Sequence, residues 1–214
     1  MKKVVVAFAV ILLIVFNSDF GKEPKARISD FVKIGLQVWM SKNLDVVCYR
    51  NGDTIPQVKN EQEWANLKTG AWCYNKNDSN NVKIYGKLYN WYAVNDPRGL
   101  APEGSHIPSD AEWTELTEFL GGICAGGKLK EKGYKHWSKP NTLATNQSGF
   151  SALPGGFRDS KGTFINIKYD ARWWTSTDCD IHNAWDRSVV SEYNFTGRLC
   201  VSKASGFSVR CVKN

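Results

Sequence analysis

After Gly149 the chain carries no apolar periodicity long enough for a helix and falls into short alternating segments parted by turn residues, an order that limits the fold strongly. Strand patterns fall at residues 150–157, 163–167, 172–177, 184–190, 198–201 and 207–212. Asp159-Ser160-Lys161-Gly162 and residues 193–197 supply reversals between them. The clearest helix signature lies earlier, at residues 109–120. Ser109 is placed to cap it, Glu112 completes a capping box, and Trp113, Leu116, Phe119 and Leu120 recur on one face before Gly121-Gly122 stop it. Helices early and strands late predict an α+β fold, not a repeating βαβ plan.

Other elements follow the same logic. Residues 31–40 alternate around Gly35 and read as a hairpin or bulged strand. Asn60 with Glu63 opens a short helix through Trp64 and Leu67, and residues 71–74 form a strand. A second helix spans residues 85–94, with Leu88, Trp91 and Tyr92 inward. In the last strand Phe207, Val209 and Cys211 share one face, opposite Ser208, Arg210 and Val212. The same alternation sends Trp173 and Trp174 to opposite faces, which predicts that one of them lies away from the main core.

The chain opens Met1-Lys2-Lys3 and continues through thirteen apolar residues, 4–16, the layout of a secretory signal and short for a permanent anchor. The predicted organisation is a signal segment at 1–21, a linker at 22–30 and one domain at 31–214, in an exported protein that is secreted or held in the cell envelope. Any membrane contact runs through an uncleaved signal. Export makes disulfides plausible for the six cysteines, and spacing alone leaves their pairing open. No two cysteines sit two to four apart, and His106, His136 and His182 are scattered, so no metal site is expected. The net charge is +7, but basic residues are spread along the chain. The one dense run, Lys128-Leu129-Lys130-Glu131-Lys132, reads as solvated surface, which argues against a nucleic-acid partner.

Nucleotide loops, His-Glu-x-x-His and Gly-x-Ser-x-Gly are absent from the sequence, and no cofactor is expected. Gly121-Gly122 and Gly126-Gly127 read as a helix stop and a turn, because a phosphate loop precedes its helix. Asp178, Asp180, Asn183 and Asp186 could ligate calcium by type, but their spacing suits turns better. Nine tryptophans are more than a core of this size needs, although Trp39, Trp64, Trp72, Trp91 and Trp113 sit where core packing explains them.

Eight ordered blocks resemble the Fibrobacter succinogenes major paralogous domain, an exported bacterial family. They are IGLQVWMSKNLDV (34–46), YRNGDTIP (49–56), AWCYNKND (71–78), YGKLYNWYAVNDPRGLAPEG (85–104), HIPSDAEWTEL (106–116), NQSGFSALPGGFR (146–158), WWTSTD (173–178) and GFSVRCVKN (206–214). Ser105 stands where the family usually has Trp. Cys73 and Cys211 fit the family pattern and are the disulfide candidates it implies, although the cysteine often found near Ala101 is missing. The family is in turn similar to the C-type-lectin-like fold of formylglycine-generating proteins, which implies short antiparallel sheets, two helices and adjacent terminal strands. The copper-binding cysteine pair of those enzymes has no counterpart here beyond Cys200 and Cys211, so the fold carries over and the oxidase activity does not.

The function expected is a non-catalytic binding module for a glycan or another extracytoplasmic ligand. Its face lies near residues 173–198, with Arg158, Trp185, Arg187, Tyr193, Asn194 and Arg198 as candidates, because function concentrates on loops borne by a rigid scaffold. Two alternatives are an enzyme with Cys179 or Cys200 as a reactive thiol and a structural envelope or appendage subunit.

Overall fold

The computed structural model describes residues 30–214; the signal segment and all but the last residue of the linker lie outside them. The chain forms β1 (Phe31–Ile34), β2 (Gln37–Met40), α1 (Glu61–Ala65), β3 (Trp72–Cys73), α2 (Val82–Tyr85), β4 (Leu88–Asn90), α3 (Trp91–Val94) and β5 (Ser105–His106). It continues with α4 (Asp110–Phe119), α5 (Gly126–Leu129), β6 (Phe157–Arg158), β7 (Phe164–Ile165), β8 (Asp170–Asp178), β9 (Asn183–Val190), β10 (Thr196–Ser202), β11 (Gly206–Phe207) and β12 (Val212–Lys213). Three sheets result, ordered β1-β2-β12-β5, β10-β9-β8 and β3-β4-β11-β6-β7, and every ladder between named strands is antiparallel. The fold is α+β, with mostly antiparallel sheets and short helices.

The strongest local signals appear as read. Gly35 turns the β1–β2 hairpin at φ 61°, and the Asn60 side chain accepts the Glu63 N–H at the start of α1. At α4 the capping box closes in both directions: Ser109 accepts from the Glu112 N–H, and Glu112 accepts from the Ser109 N–H at 2.7 Å. Trp113, Leu116 and Leu120 are buried, but Phe119 is 65% exposed because it reaches past the sheet to cover Gly35.

The helix expected at 85–94 does not form; two single helical turns flank strand β4 instead. Gly86 ends the first at φ 74°, where a Cβ would come within 2.9 Å of Asn43 Cβ and Leu44 O, so the chain must turn extended to pass residues 43–44. Asn90 then caps the second turn by accepting the Ala93 N–H at 3.1 Å. The strand expected at 150–157 is also largely missing: β6 begins only at Phe157, after isolated bridges at Ala152 and Gly156.

Both Trp173 and Trp174 are buried, so the expectation that one would leave the core is corrected. The alternation holds, but each face of β8 meets a core of its own. Trp173 joins Trp39, Trp113, Leu116, Phe150 and Val212; Trp174 joins Met40, Trp72, Tyr89, Phe207, Val209 and Cys211. In the first of these cores Trp39, Trp113, Phe150 and Trp173 contact one another edge-on or tilted, with centroids 4.7 to 5.8 Å apart, geometry worth about 0.5–1.5 kcal/mol per pair beyond area burial. A third cluster gathers Val58, Trp64, Ala71, Cys73 and Leu88.

Residues 206–213 stitch the three sheets together. Phe207 pairs with Tyr89, Ser208 exchanges backbone hydrogen bonds with Arg172 and Trp174, and Val212 pairs with Trp39. β12 pairs with β2, the second strand of the N-terminal hairpin, so β1 and β12 share a sheet without being neighbours; the single strand expected at 207–212 is split into β11 and β12, and Phe207 lies in a different sheet from Val32 and Trp39. The alternation of this segment holds: Val212 packs in the core of Trp113 and Leu116, and Phe207, Val209 and Cys211 pack in the other.

Two outcomes follow from this packing. Ser109→Ala should lower stability by about 1 kcal/mol in denaturant melts, the usual value of a side-chain N-cap. Deleting residues 207–214 strips several buried side chains, each worth about 1.5–3 kcal/mol, from a total stability of about 5–15 kcal/mol. The truncated chain should lose its cooperative thermal transition; retention near the parent melting temperature would contradict this account.

Candidate functional site

The link between β9 and β10 is held by its backbone and presents Glu192, Tyr193 and Phe195 outward. Five consecutive carbonyls are bonded. Lys130 Nζ donates to Val190 O at 2.9 Å, to Ser191 O at 3.5 Å and to Tyr193 O at 2.8 Å. Thr142 donates its N–H to Ser191 O and its hydroxyl to Glu192 O, both at 2.8 Å, and Gly126 N–H reaches Asn194 O at 3.0 Å. The Asn194 side-chain oxygen also accepts the Gly127 N–H at 2.7 Å. A Cβ on Gly126 would sit 2.6 Å from Asn194 O, and one on Gly127 would sit 2.2 Å from Leu143 O, so only glycines allow this approach.

Above this seat Tyr193 and Phe195 are 58% and 53% exposed, and their rings lie nearly parallel at 14° with centroids 6.2 Å apart. The segments that hold the loop add Ile123 and Leu143, exposed at 67% and 69%. Thr196 Oγ1 donates to Ile123 O at 3.3 Å, which brings that segment to the base of β10. Leu143 has φ 53°, a conformation unfavourable for a bulky residue and retained where the surroundings impose it. The result is an apolar and aromatic platform on a loop whose carbonyls from 190 to 194 are already bonded.

Trp185, Arg187 and Arg198 form a neighbouring group fixed by the first residue of α4. Arg187 donates to Asp110 Oδ1 at 2.6 and 2.9 Å and to Thr114 Oγ1 at 2.7 Å. Arg198 pairs with Asp110 Oδ2 at 2.9 Å and lays its guanidinium 3.4 Å over the Trp185 ring. A carboxylate in the first helical turn is favoured by the helix dipole, and here it orients two arginines. Arg198 covers one face of Trp185, whereas Tyr193 and Phe195 are more than half exposed.

Of the candidates read from sequence, Tyr193, Asn194, Trp185, Arg187 and Arg198 gather around β9 and β10, with Asn194 seating the loop. Arg158 is elsewhere and buried: its donors go to Gly162 O at 2.7 Å, Val58 O at 2.8 Å and Lys59 O at 2.9 Å, with Trp64 and Phe164 against the guanidinium. The face also cannot start at Trp173, which is buried. Phe195, Lys130, Thr142, Ile123 and Leu143 were missed. Tyr193-Asn194-Phe195, two aromatics flanking a turn residue, was the available signal for Phe195. Lys130 was hidden in a charge run that reads as solvated, yet it is buried, and burial pushes its pKa down to about 8.

The cysteines also differ from expectation. Cys179 and Cys200 form the disulfide, tying the end of β8 to β10, so neither is a reactive thiol in this state. Cys73 and Cys211 do not pair with each other; they are unbonded, buried in separate clusters as small apolar groups, and burial pushes both thiols up to about 12. Cys179 Sγ, a carboxylate oxygen of Asp180 and Cys200 Sγ lie within 4.8 Å of one another, but bonded sulfurs are not thiolate ligands. No helix among the described residues is long and apolar enough to cross a membrane.

The loop seat makes Lys130→Met informative. It leaves buried carbonyls without their donor, so stability should fall by about 2–4 kcal/mol, and amide exchange should rise first in residues 190–195. Unchanged exchange there would show that Lys130 does not hold the loop.

A family model described as the Fibrobacter succinogenes major domain matches residues 32–213. No curated protein and no solved structure matches the chain. The match runs from the second residue of β1 to the last of β12 and takes in all three sheets and the platform, and the chain belongs to the Fibrobacter succinogenes major domain family.

Proposed function

We propose that this protein is an exported, non-catalytic binding module that recognises a glycan of the cell surface or its surroundings through Tyr193 and Phe195. The observation that carries the reading is the contrast between a loop backbone with five bonded carbonyls and two parallel aromatic rings left in solvent. A loop backbone fixed in this way loses little entropy when a ligand arrives, and preorganisation is a main source of affinity. Aromatic rings bury a large area against the apolar face of a sugar, and Ile123 and Leu143 extend that area. Arg198, with a partly exposed guanidinium beside the platform, offers hydrogen bonds for hydroxyl or carboxylate substituents.

The apolar run at 4–16 and the disulfide between Cys179 and Cys200 support export. Short sheets joined by long irregular segments, with β2 beside β12, support the narrower assignment to a C-type-lectin-like fold. A structural envelope subunit would use the same exposed apolar residues for self-association, and sedimentation of the purified domain separates the two.

The test is retention on a glycan array and on isolated cell-wall material. Tyr193→Ala/Phe195→Ala should weaken retention by about tenfold or more, while Leu36→Ala, an exposed change on the β1–β2 turn, should leave it unchanged. Equal retention of the double variant and the parent on every ligand would remove the platform from consideration.

A further inference from the structure

Arg210 is buried and has no carboxylate partner among the described residues. Other arginines differ: the half-buried Arg172 pairs with Asp170 and Asp186, the buried Arg187 pairs with Asp110, and the buried Arg158 meets three carbonyls at 2.7–2.9 Å. Arg210 has Asn43 Oδ1 at 3.1 Å, the Phe150 carbonyl, and Ser151 O at a long 3.4 Å, with its guanidinium 3.9 Å over the Phe150 ring. Neutral acceptors compensate a buried cation incompletely, and burial lowers its pKa to about 9.

Arg210 lines a cleft of about 260 Å³ together with Ser41, Lys42, Asn43, Ser151 and Glu131. The volume is just under the roughly 300–1,000 Å³ of sites for drug-sized molecules, so it suits something smaller. Lys42 stands at the rim with a largely exposed side chain, paired to Asp30 at 3.2 Å in an arrangement that water weakens. Asn43 is fixed: its oxygen accepts from Arg210 and from Trp173 Nε1 at 2.9 Å, and its amide donates to Tyr85 O at 2.8 Å. Glu131, held by His136 at 2.9 Å, supplies the one acidic group of the lining.

We propose that this cleft binds a small carboxylate that also carries a hydrogen-bond donor, with the carboxylate meeting Arg210 and Lys42 and the donor meeting Glu131. The ligand supplies the counter-charge that the fold does not. A donor-bearing carboxylate is favoured over an inorganic anion because Glu131 would repel a purely anionic group. The site is separate from the aromatic platform, and its failure would leave the glycan reading untouched.

Glycine, acetate and sodium chloride at matched ionic strength serve as probes of the parent protein, read by NMR at the Trp173 indole N–H and the Asn43 side-chain amide. Glycine should shift both signals saturably, acetate more weakly, and chloride not at all. Lys42→Ala, an exposed change that preserves the fold, should weaken glycine about tenfold, and Glu131→Gln should bring glycine and acetate to equal affinity. Absence of a saturable shift with glycine, a shift matched by chloride, or unchanged glycine affinity in Lys42→Ala would each overturn the proposal.

Discussion

The structure depends on β8 being buried on both faces. Adjacent strand residues must point to opposite sides, and Trp173 and Trp174 are too large to be buried on both sides without a core for each. Their indole N–H groups bond to Asn43 Oδ1 at 2.9 Å and Tyr89 O at 2.8 Å, so each is also satisfied. Everything else arranges around that partition. Helix α4 and the β1–β2 hairpin close one core, β4 and β11 close the other, and residues 206–213 alternate between the two.

A domain with so much irregular backbone faces a second constraint, because buried carbonyls need donors that no sheet supplies. Buried cations provide them here. Lys130 gathers the carbonyls of residues 190, 191 and 193; Arg158 gathers those of 58, 59 and 162; Arg210 draws on 150 and 151. A long side chain with several donors can reach across segments distant in sequence and close them onto each other. Arg172 does the equivalent with carboxylates: it joins Asp170 to Asp186, and Asp186 then accepts the Leu199 N–H at 2.9 Å to fix β10.

What could be read from sequence was what is local. The Ser109–Glu112 box, the Gly35 hairpin and the strands at β8, β9 and β10 follow from caps, turns and period-two alternation within a few residues. The opposed faces of Trp173 and Trp174 were legible too, but alternation cannot tell a strand with one wet face from a strand between two cores. The helix expected at 85–94 failed for a tertiary reason, the close passage of Gly86 over residues 43–44. At the site, Tyr193, Arg198 and Trp185 could be chosen by type, whereas Arg158 was misplaced because an arginine's exposure depends on which distant carbonyls surround it. The disulfide was missed on similar grounds: Cys179 and Cys200 meet because β8, β9 and β10 pair in register, which spacing does not encode.

The seat of the 190–195 loop bears on how this surface can vary. Its fixing contacts are made almost entirely to backbone atoms, by Lys130, Thr142, Gly126 and Gly127, and only Asn194 contributes a side chain. Residues 193 and 195 can therefore change identity without removing any bond that holds the loop. The glycines cannot, because any Cβ at 126 or 127 would collide with the loop or with Leu143. Such a division leaves two replaceable side chains in solvent and places stability on residues far away in sequence. It is the arrangement expected where one scaffold must present different ligand contacts without refolding.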